Sequence, residues 1–218
     1  MKGGKKYNSY PKRRVEVKSY LMEFIGTFFL ALAIISLSGN ALAIGLMFMA
    51  MAYLGGGISG GYYNPAVTLA IFLKGKLNMI NTIGYMVAQL LGALLASGLF
   101  HVVSGELFCP KLSPQITAWV TGATVCLEAL LTFVFVWAVL ETIKKRPQEP
   151  GGALILGFTL VAIAYTGGLF NPAVAAGSMV SSLVLAGPGC SMPDLAVYLV
   201  APFLGGIAAV FGSNFFEK

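Results

Sequence analysis

Asn-Pro-Ala-Val occurs twice in this chain, at residues 64–67 and 171–174, each time after a Gly pair and ahead of a short apolar run. The run between Asn64 and Lys74 is about ten residues, which as a helix rising 1.5 Å per residue covers roughly 15 Å, half of a hydrocarbon core of roughly 30 Å. Such a helix enters a membrane but cannot cross it. Asn is a favoured N-cap and Pro suits the first helical turn, so each motif starts a helix at the centre of the membrane. Non-helical backbone at that depth survives only where protein buries it or water lines it. The pairs Gly60-Gly61 and Gly167-Gly168 permit the tight turn this demands and leave carbonyls facing a path.

Composition sets this pattern in a membrane. With 57% hydrophobic and 10% charged residues in 218 and a mean hydropathy of +0.83, the chain has more apolar surface than a soluble domain can hide. Six stretches, 20–38, 41–57, 79–103, 116–140, 152–167 and 193–214, are long enough or nearly so to span. The expected fold is an all-α membrane protein of six transmembrane helices plus two re-entrant half-helices. Residues 1–18 form a basic tail without the apolar region and cleavage site of a signal peptide, so the first span is read as uncleaved. With that tail in the cytoplasm, six crossings place 13 of the 14 Lys and Arg residues on the same side, and only Lys111 opposite. The asymmetry favours both termini inside, in the cell membrane, and the cluster Lys12, Arg13 and Arg14 as a topology signal open to anionic lipid.

The chain also repeats itself. Glu23-Phe-Ile-Gly-Thr27 is echoed by Glu128-Ala-Leu-Leu-Thr132, and Leu90-Leu91-Gly92-Ala93 by Phe203-Leu204-Gly205-Gly206. These echoes divide one channel domain, 19–218, into repeats at 19–110 and 114–216. Each repeat crosses an odd number of times, so the second lies upside down, an arrangement that sets solute sites at the midplane. The half-helices then meet at their N-termini, and two positive dipole ends with the amides of Asn64 and Asn171 point at one spot in a lumen. A neutral polar molecule accepts those hydrogen bonds and a cation is repelled.

Other chemistries find little support. One His and three Cys assemble no metal site and no nucleophile with its base, so neither an enzyme nor a cofactor is expected. His101 reads as packed or interfacial, and Cys126 as a buried apolar filler. Cys109 and Cys190 fall in loops on the far side from the basic tail, where a bridge is open but not expected. Lys74, Lys76 and the segment 144–150 lie at the inner mouth as solvated charges. A secondary transporter would need a carboxylate near the midplane. Only Glu23 and Glu128 are available, and both are read as structural.

At the two Asn-Pro-Ala boxes and the two E-x-x-x-T boxes the sequence resembles the aquaporin and glycerol-facilitator family, the major intrinsic proteins, over residues 18–216. The resemblance implies a narrow pore flanked by Asn64, Pro65, Ala66, Asn171, Pro172 and Ala173, with Glu23 and Glu128 hydrogen-bonding the re-entrant backbone. It also implies a homotetramer with one pore per subunit. The expected cargo is water, with glycerol, urea or ammonia as additional or principal solutes, and no nucleic acid. The chain departs from the family after the second box, where Val174 replaces the usual Arg. By the family's spacing the outer filter would comprise Ile44, Thr159, Gly168 and Val174, wider than a strict water filter unless Tyr63 or a loop residue fills the gap. Ala175 and short loops lean towards the water channels. Leu199, where many of them carry Trp, leans away.

Overall fold

The computed structural model describes residues 15–37, 40–110, 118–145, 150–185, 190 and 192–217. Among these residues eight helices follow one another: α1 Val17–Ser36, α2 Ala41–Gly56, α3 Pro65–Leu73, α4 Met79–Ser104, α5 Ala118–Lys145, α6 Pro150–Ala164, α7 Pro172–Val184 and α8 Met192–Phe216. Four contain stretches long and apolar enough to cross a membrane, Val17–Ser36, Met79–Ser104, Gly122–Lys144 and Asp194–Phe216. The spans expected at 41–57 and 152–167 are α2 and α6, of 16 and 15 residues. Non-helical backbone at residues 57–64 and 165–171 continues from them into the half-helices.

Local chemistry starts the half-helices as the motif dictates. Asn64 Oδ1 accepts the Ala66 N–H at 2.8 Å, Asn171 Oδ1 accepts the Ala173 N–H at 3.0 Å, and Pro65 and Pro172 open the first turns. Each Asn thus satisfies one of the amide donors that a helix N-terminus leaves unpaired.

Packing follows the repeat. α1 lies against α4 as α5 lies against α8, while α3 packs on α8 and α7 on α4, so each half-helix rests on the last helix of the other repeat. Glycine makes these approaches close. A Cβ at Gly92 would strike the Phe24 carbonyl, and one at Gly205 the Ala129 carbonyl; both carbonyls belong to the residue after the repeat's glutamate. A Cβ at Gly206 would lie 2.9 Å from the Ala66 carbonyl oxygen, and one at Gly177 would lie 2.8 Å from Ala93. Backbones this near gain dispersion contacts that lipid-facing side chains cannot supply.

Three expectations are corrected. Cys109 and Cys190 are bridged, their Cα atoms 5.3 Å apart. Cys126 is exposed rather than buried; in an apolar span, hydropathy does not tell a lipid-facing position from a packed one, because lipid is as apolar as Leu. Lys74 is not solvated: its side chain is 6% exposed, with Nζ 2.8 Å from Glu217 and 2.7 Å from Asn214 Oδ1. That contact ties the end of α3 to the end of α8. Lys12, Arg13, Arg14, Lys111 and Arg146 lie outside the described residues.

Gly92→Leu forces α1 and α4 apart and is expected to cost about 1–3 kcal/mol, read as a lowered unfolding temperature in detergent. Gly98→Leu, at a position with nothing within 4 Å of the added Cβ, is expected to leave it unchanged or slightly raised.

Candidate functional site

The two re-entrant loops run through left-handed backbone. Gly60, Gly61 and Gly167 have φ of 110°, 67° and 81°, and the residues just before each Asn, Tyr63 and Phe170, have φ of 50° and 53° without being glycine. Side chains rarely adopt that region, and it persists only where surrounding bonds enforce it. Those bonds come from carboxylates. Glu23 Oε1 accepts Ser59 Oγ at 2.6 Å and the Tyr62 N–H at 3.0 Å. Its Oε2 accepts the Tyr63 N–H and Gln89 Nε2, both at 2.7 Å. Glu128 takes the equivalent amides of the second loop, Leu169 N–H at 2.8 Å on Oε1 and Phe170 N–H at 2.9 Å on Oε2.

With the amides so held, the carbonyls of Tyr63 and Phe170 turn to the opposite loop. Asn64 Nδ2 donates to the Phe170 carbonyl at 2.7 Å and Asn171 Nδ2 to the Tyr63 carbonyl at 2.8 Å. The motifs are cross-bonded, each amide using one of its two N–H groups. On either side of this layer lies a cavity. One, of about 210 Å³, is lined by Ile44 of α2, Leu160 and Ala164 of α6, Gly168 to Phe170 of the second loop, Tyr198 of α8, and Phe108 to Pro110. The other, of about 480 Å³, lies by Gly56, Gly60 and Gly61, with Val139 and Ile143 of α5 and Ala153 and Leu156 of α6.

The four residues expected to form the outer filter are not brought together. Ile44 and Gly168 share the smaller cavity. Thr159 stands off its wall, with Oγ1 donating to the Ile155 carbonyl at 2.8 Å, and the neighbouring Leu160 takes its place. One residue along an α-helix is a rotation of about 100°, so a spacing off by one swaps a hydroxyl for an isobutyl group. Val174 has no exposed surface and belongs to an apolar cluster with Ala31, Ile35 and Ala93. Nor does Tyr63 fill the gap: its ring is buried beside Gly26 and Gly55, with the hydroxyl donating to the Met51 carbonyl at 2.8 Å. Sequence reasoning missed Leu160, Tyr198, Phe108, Ser59 and Gln89. Gln89 left a signal, a lone amide deep in the third span one residue before the Leu90 echo.

The model of the family described as major intrinsic protein matches residues 35–212. The "Glycerol uptake facilitator protein-like 6" of Lactiplantibacillus plantarum is 35% identical over 89% of this chain and 96% of its own length. "Aquaporin Z" of Brucella melitensis biotype 1 is 31% identical over 85% and 91%. Among solved structures, the aquaglyceroporin from Plasmodium falciparum superposes with a TM-score of 0.70 at 25% identity, covering 93% of this chain and 96% of its own.

The two carboxylates carry unequal loads, and their amide variants should differ accordingly. Glu23→Gln turns an NH₂ towards donors and is expected to cost about 3 kcal/mol or more, and Glu128→Gln, with two partners, about 1–3 kcal/mol. Unfolding in detergent and water flux in liposomes check the order; equal effects would show that the extra donors to Glu23 add nothing.

Proposed function

This chain belongs to the major intrinsic protein family and is a passive membrane channel for water or small solutes, not an enzyme; from that premise we propose that its pore passes both water and uncharged solutes of the size of glycerol, urea or ammonia, through the cross-bonded layer of Asn64 and Asn171. The observation that carries the reading is the reciprocal bond between each Asn amide and the other loop's carbonyl. It leaves one N–H on each amide as a donor, at the positive ends of two helices, where neutral molecules are accepted and cations opposed. Glu23 and Glu128 are occupied by loop N–H groups and are poor ligands for a coupling ion, which argues against ion-driven transport.

Passage of solutes larger than water is supported by the smaller cavity. Ile44, Leu160 and Phe170 offer apolar lining, and the backbone at Gly167 and Gly168 lines the same space with polar groups. Such a mixed surface suits a small polyol, whose carbons and hydroxyls can face different sides. The names of the Lactiplantibacillus relative and the Plasmodium structure point the same way. Repeats 19–110 and 114–216 form one channel domain in this reading, and Asn64, Pro65, Ala66, Asn171, Pro172 and Ala173 are its central residues. We place both termini in the cytoplasm and the channel in the cell membrane as a homotetramer. The orientation is supported by the charge asymmetry and by the disulfide on the face away from the α1 start, since such bonds persist in oxidising surroundings.

Reconstituted in liposomes, the protein is expected to speed both shrinkage under sucrose and re-swelling under glycerol, with an internal pH dye silent. Saturable, ion-dependent flux would overturn the channel mechanism, and fast water with no glycerol would overturn the solute range. In the same assay Leu160→Ala is expected to raise glycerol flux by about tenfold, the scale on which a steric pocket discriminates. Thr159→Ala should change neither flux, and a reversed pattern would put Thr159 on the wall.

A further inference from the structure

The smaller cavity has one wall that comes neither from the described helices nor from the re-entrant loop. Phe108, Cys109 and Pro110 follow the end of α4 in backbone without regular structure, yet they line the same space as Ile44, Leu160 and Tyr198. Residues 107–110 make no hydrogen bond to another described residue. Among the described residues they are held by the burial of Pro110, by the packing of Phe108 on the apolar cluster that contains Val174 and Leu169, and by the bond from Cys109 to Cys190. Cys190 stands two positions ahead of α8, and α8 packs on α3, α5 and α7. The bridge therefore fastens this wall of the mouth to a helix that is itself packed on three others. It closes a sequence separation of 81 residues, which removes many positions the free segment could take.

We propose that the Cys109–Cys190 bridge sets the outer aperture: it holds Phe108 and Pro110 over the cavity as the narrowing element, a part that Val174, buried in the cluster beneath Phe108, does not play. The inference rests on the channel reading and adds to it a specificity determinant. The bridged channel favours water, and the opened bridge lets the wall swing back and admits three-carbon solutes more freely. Charge plays no part in this narrowing, so opening the bridge should alter size selection and leave proton exclusion at the Asn64 and Asn171 layer intact.

A charged phosphine reductant added outside reconstituted vesicles provides the test. It gives two electrons to the S–S bond and leaves as the phosphine oxide, taking its oxygen from water, whose two protons complete the thiols. With Cys126 the one free cysteine, mass-tag counting should rise from one thiol to three. On reduction the ratio of glycerol to water permeability is expected to rise by about tenfold, a steric step of a carbon or two, with water flux kept and the pH dye silent. Cys190→Ser should show the raised ratio without reductant and no response to it, and Phe108→Ala should raise the ratio with the bridge intact. An unchanged or lowered ratio at a count of three thiols overturns the proposal. So does a collapse of both fluxes, which would make the bridge a support for the whole channel. Bridged protein that conducts no water would sink the channel reading itself, a failure visible before any reductant is added.

Discussion

Everything in this structure depends on two amide-to-carbonyl hydrogen bonds, Asn64 to Phe170 and Asn171 to Tyr63. In the middle of a membrane an unpaired backbone group has no water to turn to, and each one costs several kcal/mol. Two loops that stop halfway must therefore satisfy each other. To do so, each presents the carbonyl of the residue before its Asn, which requires left-handed backbone at Tyr63 and Phe170, of order 1–3 kcal/mol of strain at each. The strain is sustained from behind by Glu23 and Glu128, whose oxygens hold the N–H groups of the same residues. One residue thus gives its N–H to a carboxylate on one side and its carbonyl to the opposite loop on the other. Removing either partner releases the turn.

The repeat that builds this layer is symmetric in its backbone and not in its side chains. Ser59 donates to Glu23, whereas the residue 107 positions on, Thr166, turns its hydroxyl to the Ile163 carbonyl. Gln89 donates to Glu23 and Thr68, and by the spacing of the glycine echo its counterpart is Pro202, which has no amide to give. The second loop is consequently the less tightly held, and it is the loop that lines the smaller cavity. The disulfide stands on that same side, tying Cys109 to the chain just ahead of α8. Support that repeat one gets from buried side-chain donors has, near the second loop, a covalent contribution from outside the helices.

Six spans, two half-helices and their inversion were legible because each follows from a count: about 20 apolar residues to cross, about ten to stop halfway, and an odd number of crossings per repeat. The glycine echoes were legible too, as small residues, and the structure adds that each meets the carbonyl after a glutamate. What the sequence did not yield was everything set by rotation or by loop position. Thr159 and Leu160 differ by one place and so by about 100° around α6, and no hydropathy pattern distinguishes them in a helix apolar on every face. Val174 was read as part of a filter and is enclosed among Ala31, Ile35 and Ala93. The cysteine pair lacked any local signature, since its two members come near each other only when α4 and the start of α8 end up on one face.

That division has a physical cause, and it says where selectivity can reside. The central layer admits little variation, because altering Asn64, Asn171 or the backbone before them leaves buried polar groups unpaired on the other loop as well. The residues of the smaller cavity bear no such obligation: the side chains of Ile44, Leu160 and Phe108 offer no hydrogen bond that the layer needs. They can be large or small, close or distant, without disturbing the lock beneath them. On the proposed reading, rejection of ions, which needs oriented dipoles, is vested in the repeated part of the chain. On the same reading, discrimination by size, which needs only a wall at the right distance, falls to a rotation of α6 and a loop held by one covalent bond.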